Sequence, residues 1–199
     1  MKHYIPPQRE GKQLDIKESS TFDSASSAKG FYKVAKDRML NINQWFEIAS
    51  LPASTFKHLN PNGQQSSRLP EHGDYIKIDI PGPGLSSTCG FDYVRIETLE
   101  ETQTEEVDTI TMTVRPSEAP GNPSDQETKH FFKNVSTSTF QIKRTGNLVE
   151  ACYYGRNEVI NLDLSSLLDR FRNLVVAIGA KLGGSYPQWK SLIAGFIKK

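Results

Sequence analysis

Between positions 54 and 156 apolar side chains recur at every second residue, whereas over 24–50 and after Asn161 they recur at every third or fourth. That change of period constrains the fold more than any other feature of the chain. A stretch that alternates for about a hundred residues must be divided into strands, and six are expected, over 54–59, 75–80, 91–99, 107–115, 136–144 and 148–156. Asn60-Pro61-Asn62-Gly63, His72-Gly73-Asp74, Pro81-Gly82-Pro83-Gly84 and Thr145-Gly146-Asn147 supply turn chemistry between them. Connections this short imply antiparallel neighbours, because a parallel pair needs a long crossover. The polar, proline-containing stretch 116–129 reads as an exposed excursion.

The flanks read as helices and one further strand. Leu14 and Ile16, with Phe22 in phase, mark a short strand over 13–22. Asp23 or Ser24 caps a helix carrying Ala28, Phe31, Tyr32, Ala35, Met39 and Leu40, and Asn41 opens a shorter one with Ile42, Trp45, Phe46 and Ile48 or Ala49. After Asn161 a broad stripe runs from Leu164 through Phe171 to Leu182 and stops at Gly183-Gly184. Pro187 then suits the first turn of a last helix bearing Trp189, Leu192, Ile193, Phe196 and Ile197. Residues 1–12 hold two prolines and no apolar period, so a disordered tail is expected ahead of one α+β domain over 13–199.

Charge and composition exclude several classes of function. The 24 Lys and Arg residues against 23 Asp and Glu leave a formal net charge of +1, which provides no field for holding a nucleic acid. The apolar run 174–180 is far too short to span a bilayer, and the start of the chain has no apolar signal region, so a cytoplasmic location is expected. Cys89 and Cys152 stand in no metal-binding spacing and read as free thiols. His3, His58, His72 and His130 are scattered, without an i, i+4 partner, and read as solvated or loop-packing residues. Neither a metal nor a cofactor is expected. The carboxylates from Glu97 to Asp108 lack a calcium-loop pattern and read as a solvated turn. Lys198-Lys199 below the last apolar stripe resembles an interfacial membrane helix, but core packing explains the same residues more simply.

Strand, two helices, six antiparallel strands and a long C-terminal helix form an order that resembles the START/SRPBCC helix-grip superfamily. The likeness lies in element order over 13–198, with no diagnostic motif, and Gly183-Gly184 with Pro187 interrupts a helix that is usually continuous. The resemblance implies a bent antiparallel sheet of six or seven strands packed on a long C-terminal helix, enclosing a cavity for a sterol, lipid or other apolar molecule. The alternative architecture is a small antiparallel β-barrel with flanking helices.

Alternation puts Ile76, Ile78, Ile80, Val94, Ile96, Ile110, Met112, Val114, Phe140 and Ile142 on one face of the sheet. Tyr75, Lys77, Phe91, Tyr93, Arg95, Thr111, Thr113, Thr137 and Thr139 take the other, without indicating which face lines a cavity. Tyr75, Tyr93 and Tyr154 with Lys77, Arg95 and Arg156 suggest a stacking platform for bases, but Asp79, Glu97 and Glu150 cancel its charge. The leading expectation is non-catalytic binding of a small apolar ligand, lipid-like or aromatic. Tyr93, Arg95 and His130 would orient its polar end, with Tyr153 and Phe171 at the cavity. The alternatives are a cyclase- or lyase-like enzyme using Tyr93, Arg95, His130 or Tyr153, and a protein-interaction module docking through the tyrosine-rich face.

Overall fold

The computed structural model describes residues 5–49, 54–79, 91–121, 132–159 and 186–199. The helix expected over 164–182 with Phe171, the loop residue His130, Ile80 and Cys89 lie outside the described residues.

Seven strands form one sheet: β1 (Lys12–Thr21), β2 (Thr55–Leu59), β3 (Tyr75–Asp79), β4 (Phe91–Gln103), β5 (Val107–Pro116), β6 (Thr137–Thr145) and β7 (Leu148–Glu158). Their order is β1-β7-β6-β5-β4-β3-β2 and every pair is antiparallel. The meander from β2 to β7 follows from the short turns, and β1 adds to the free edge of β7. The sheet is open, with β1 and β2 as its edges, which replaces the barrel alternative with a helix-grip-like α+β arrangement. Helix α1 (Ala25–Leu40), a 3-10 turn (Ile42–Gln44) and the single turn α2 (Trp45–Ile48) occupy the crossover from β1 to β2, and α3 (Tyr186–Phe196) closes the chain.

The local chemistry behaves as the spacing implies. Ser24 caps α1, its hydroxyl accepting from the Ser27 N–H at 3.1 Å, and Ala28, Tyr32, Ala35 and Met39 form the buried stripe. Pro187 sits in the first turn of α3, whose Leu192, Ile193 and Phe196 are buried. Two strands outrun their expected lengths, β4 by continuing to Gln103 and β7 to Glu158. A bulge between Ile96 and Thr98 shifts the register of β4 against β5 and exchanges its faces, so Leu99 continues the core after Ile96.

The Ile and Val face is the core face. Helix α1 packs on β5, β6 and β7, and α3 on β1 and β7. Trp45 stands where the helices meet the sheet, fully buried, with its ring 5.0 Å from Phe140, 5.3 Å from Phe56 and 5.8 Å from Phe196. Helix α3 reaches α2 closely only because residue 195 is glycine: a Cβ there would lie 2.3 Å from the Ile48 carbonyl oxygen. Gly195→Ala is therefore expected to cost about 1–3 kcal/mol by pushing the two backbones apart. A urea titration reads this directly, and an unchanged midpoint would mean that α3 does not dock as described.

The mixed face turns away from the described helices, yet it is not simply solvated. Thr111, Thr113, Thr137 and Thr139 are buried there, with the Thr113 and Thr139 hydroxyls 3.0 Å apart and Gln141 donating to Thr111. The aromatic and basic residues of this face pair with one another: Arg95 over Tyr75, Lys77 over Phe91 and Arg156 over Tyr154.

Candidate functional site

Tyr153 lies on the concave, helix-bearing face of β7. Its ring stacks on Trp189 of α3 at 5.2 Å and 14°, and meets the edge of Phe140 at 5.4 Å. The neighbouring residue of β6 on this face is Ser138, opposite Gly155 in the register, and its hydroxyl lies 2.9 Å from the Tyr153 hydroxyl. Gly155 shares the face with Tyr153 by alternation. A Cβ at Gly155 would fall 2.3 Å from a carboxylate oxygen of Glu158 and 3.2 Å from the Tyr153 ring. The glycine thus leaves space over the sheet that the Glu158 carboxyl occupies.

A polar corner is built at one end of an apolar concave surface: two hydroxyls and a carboxyl, flanked by the Trp189 indole. Ser138, Glu158, Trp189, Tyr186 and Leu14 are half-buried there, while Phe140 and Tyr153 beneath are sealed. Burial pushes the Glu158 carboxyl above its ordinary value, against opposing pulls from Lys12 and Arg156. Burial likewise raises the Tyr153 phenol, helped by the nearby Glu158 charge, so the phenol stays neutral and can donate or accept.

A raised carboxyl binds its proton more tightly folded than unfolded. Its stabilising contribution is complete below the unfolded value and is lost as pH rises through the folded one. Glu158→Gln is therefore expected to raise the melting temperature at pH 8 and to leave it nearly unchanged at pH 4. Equal gains at both pH values would show that Glu158 carries no such strain.

Of the described residues among those expected to form the ligand site, Tyr93, Arg95 and Tyr153, Tyr153 alone lies on the concave face. Tyr93 and Arg95 lie on the opposite face, because β4 directs Val94 and Ile96 into the core. Arg95 is exposed beside Tyr75. The described residues therefore do not unite Tyr93 and Arg95 with Tyr153, and His130 and Phe171 lie outside them. Sequence reading passed over Ser138, Glu158 and Trp189 as site residues. Gly155 was the available signal, since an isolated glycine within a strand marks a close approach.

Two other polar clusters are fasteners. His58, expected to be solvated or loop-packed, is buried in β2, with Nε2 2.8 Å from a carboxylate oxygen of Asp74. Asp74 also accepts from Arg68 at 2.7 Å and from the Glu71 N–H at 2.9 Å, tying the β2–β3 connection to the sheet. Burial tends to raise the Asp74 carboxyl, but hydrogen bonds from Arg68, His58 and the Glu71 backbone outweigh it and hold the group low. At the far end of the concave face Arg144 donates to Asp108 at 2.6 Å, both side chains buried. This overturns the reading of Asp108 as part of a solvated acidic turn.

Cys152 is a buried free thiol, which burial raises above its ordinary value. Among the described residues no group of three or more His, Cys, Asp and Glu side chains is placed to hold a metal ion. Nor is any helix among them long and apolar enough to cross a membrane.

No family model and no curated protein matches the chain. Among solved structures it is similar to a hypothetical protein of Helicobacter pylori, at 9% identity over 98% of both chains with a TM-score of 0.48. The extracellular domain of PknH from Mycobacterium tuberculosis is similar at 10% identity and a TM-score of 0.38, over 85% of this chain and 61% of that one. A ginseng major latex-like protein from Panax ginseng is similar at 14% identity and a TM-score of 0.31, over 85% of this chain and 97% of that one. These overlaps are loose, and the reading of the site rests on the chain's own residues.

Proposed function

We propose that the protein binds a small, largely apolar molecule on the concave face of its sheet, with the molecule's single polar end at the half-buried Ser138 and Glu158, above the buried Tyr153 that holds the Ser138 hydroxyl. The observation that carries this reading is the placement of the Glu158 carboxyl over Gly155. A charged-type side chain is set against an aromatic floor, formed by Tyr153 with Phe140 and Trp189 around it. A few placed polar groups in an apolar recess are the usual means of orienting such a ligand. The corner favours a neutral hydroxyl or carbonyl, which can exchange hydrogen bonds with the Ser138 hydroxyl and the Glu158 carboxyl. A carboxylate would face Glu158 and be repelled. Tyr93 and Arg95, on the opposite face, take no part in this reading.

Trp189 provides the readout. In a Trp45→Phe background it is the remaining tryptophan of the two in the chain. Titration with 1-decanol is expected to shift its emission and raise the melting temperature by mass action, while decanoate shifts the emission less. Gly155→Ala displaces the Glu158 carboxyl and is expected to narrow the difference between alcohol and acid. If neither probe changes the Trp189 emission, the concave face is closed core and the reading fails.

A further inference from the structure

On the mixed face, away from the concave site, residues 6–10 run beside the ends of β5, β6 and β7 and border a half-open recess of about 340 Å³. That volume lies within the ~300–1,000 Å³ range of small-molecule sites. That segment is held by one residue. Asn157 has φ 54°, the sole left-handed non-glycine residue among those described, and is only 8% exposed. Its Oδ1 accepts from the backbone N–H groups of Arg9 at 2.7 Å and Glu10 at 3.2 Å, and its Nδ2 donates to the Pro7 carbonyl at 3.1 Å. Its own N–H donates to the Gln8 side chain at 2.9 Å. A strained conformation kept by four hydrogen bonds fixes the recess as a built feature of the fold.

The floor of the recess holds an unmet donor. Thr137 is 2% exposed and lines the recess, and its hydroxyl has no hydrogen-bond partner among the described residues. Leaving a buried hydroxyl unpaired is costly. Arg9 and Arg115 reach the same space. Arg115 is braced by Glu97 through Nε and by the Asn134 carbonyl through Nη1, while the Arg9 guanidinium makes no ion pair among the described residues. Pro6, Pro7 and Val135 give the remaining wall carbon surface. With Glu10 on the rim and Glu97 on Arg115, the positive charges are offset, so directed N–H and O–H donors, and not surplus charge, decide what binds.

We infer that this recess binds a small organic molecule with one oxyanion group, a carboxylate or a phosphate, received by Arg9, Arg115 and the Thr137 hydroxyl, with its apolar body against the prolines. The site lies on the face of the sheet opposite the concave one and does not depend on the function proposed above.

The test uses the whole chain with benzoate and phenyl phosphate as probes, benzyl alcohol as the neutral control and chloride to match ionic strength. One or both anions are expected to raise the melting temperature above the chloride control and to shift the Thr137 amide resonance. Benzoate against phenyl phosphate distinguishes the carboxylate from the phosphate class. Thr137→Val keeps the shape and removes the hydroxyl. It is expected to weaken anion binding at least ~tenfold while being no less stable than the parent without anion. Arg9→Gln, which keeps the backbone bond to Asn157, is expected to weaken binding similarly with an unchanged melting temperature. The inference is overturned if both anions act no more strongly than chloride or benzyl alcohol, if Thr137→Val binds as the parent does, or if that variant alone loses stability, since its hydroxyl would then be bonded within the protein.

Discussion

Trp45→Ala is expected to cost about 3–5 kcal/mol of folding stability, the range for removing a large buried aromatic. The indole is 1% exposed and joins α2 to β2 through Phe56, to β6 through Phe140 and to α3 through Phe196. Its truncation opens a void bordered by three elements that cannot all collapse inward. Its ring N–H donates to the Met39 carbonyl at 3.0 Å, near the last turn of α1, so the substitution also removes a buried hydrogen bond. For a chain of this size the loss corresponds to a melting temperature lower by roughly 10–15 °C. Trp45→Phe, which keeps most of the carbon and loses the donor, should fall between the two. A Trp45→Ala protein melting within a few degrees of the parent would show that the helices do not meet the sheet through this residue.

Arg144→Met is expected to be comparably severe, about 3–5 kcal/mol, because it strands a buried carboxylate. Arg144 and Asp108 are each 1% exposed, and one oxygen of Asp108 already lacks a partner. The guanidinium also donates to the Glu105 carbonyl at 3.0 Å and the Gly146 carbonyl at 3.1 Å, fastening the β4–β5 turn to the β6–β7 turn. Removing both charges should behave differently. Asp108→Leu with Arg144→Met takes away the desolvated pair together, and the double variant is expected to recover most of the stability lost by the single one. Chemical denaturation of the three variants measures the coupling. If the double variant is as unstable as Arg144→Met, the turn carbonyls dominate the role of Arg144 and the stranded charge does not.

The limits of sequence reading show at particular residues. Gly155 was visible as a break in a strand pattern, but the proximity of Glu158, three positions on, depends on where the end of β7 runs past β1. Alternation alone carries Arg95 and Glu97 forward on one face, yet the bulge after Ile96 resets the phase of β4, so the helix-facing set beyond it begins at Leu99. His58 reads as an ordinary strand-end residue until the β2–β3 connection brings Asp74, itself bonded to Arg68, back to it. Asp108 reads as one more carboxylate in an acidic run, because nothing local announces Arg144 as its partner.

Among the described residues, periodicity by itself determined the kinds of elements, their order and the antiparallel sense of the sheet. Each rests on interactions a few residues long: a side-chain repeat of two or 3.6, a cap, a tight turn. It also separated the two faces of the sheet, since alternation is a local property. Only the tertiary structure decided which face the helices cover, which edge of the meander β1 joins, and which polar side chains meet. Those outcomes depend on contacts between residues far apart in the chain, such as Tyr153 with Trp189 and Asn157 with Arg9. No local pattern encodes them, because the free energy that selects them comes from burying surfaces that become neighbours only when the whole chain has closed.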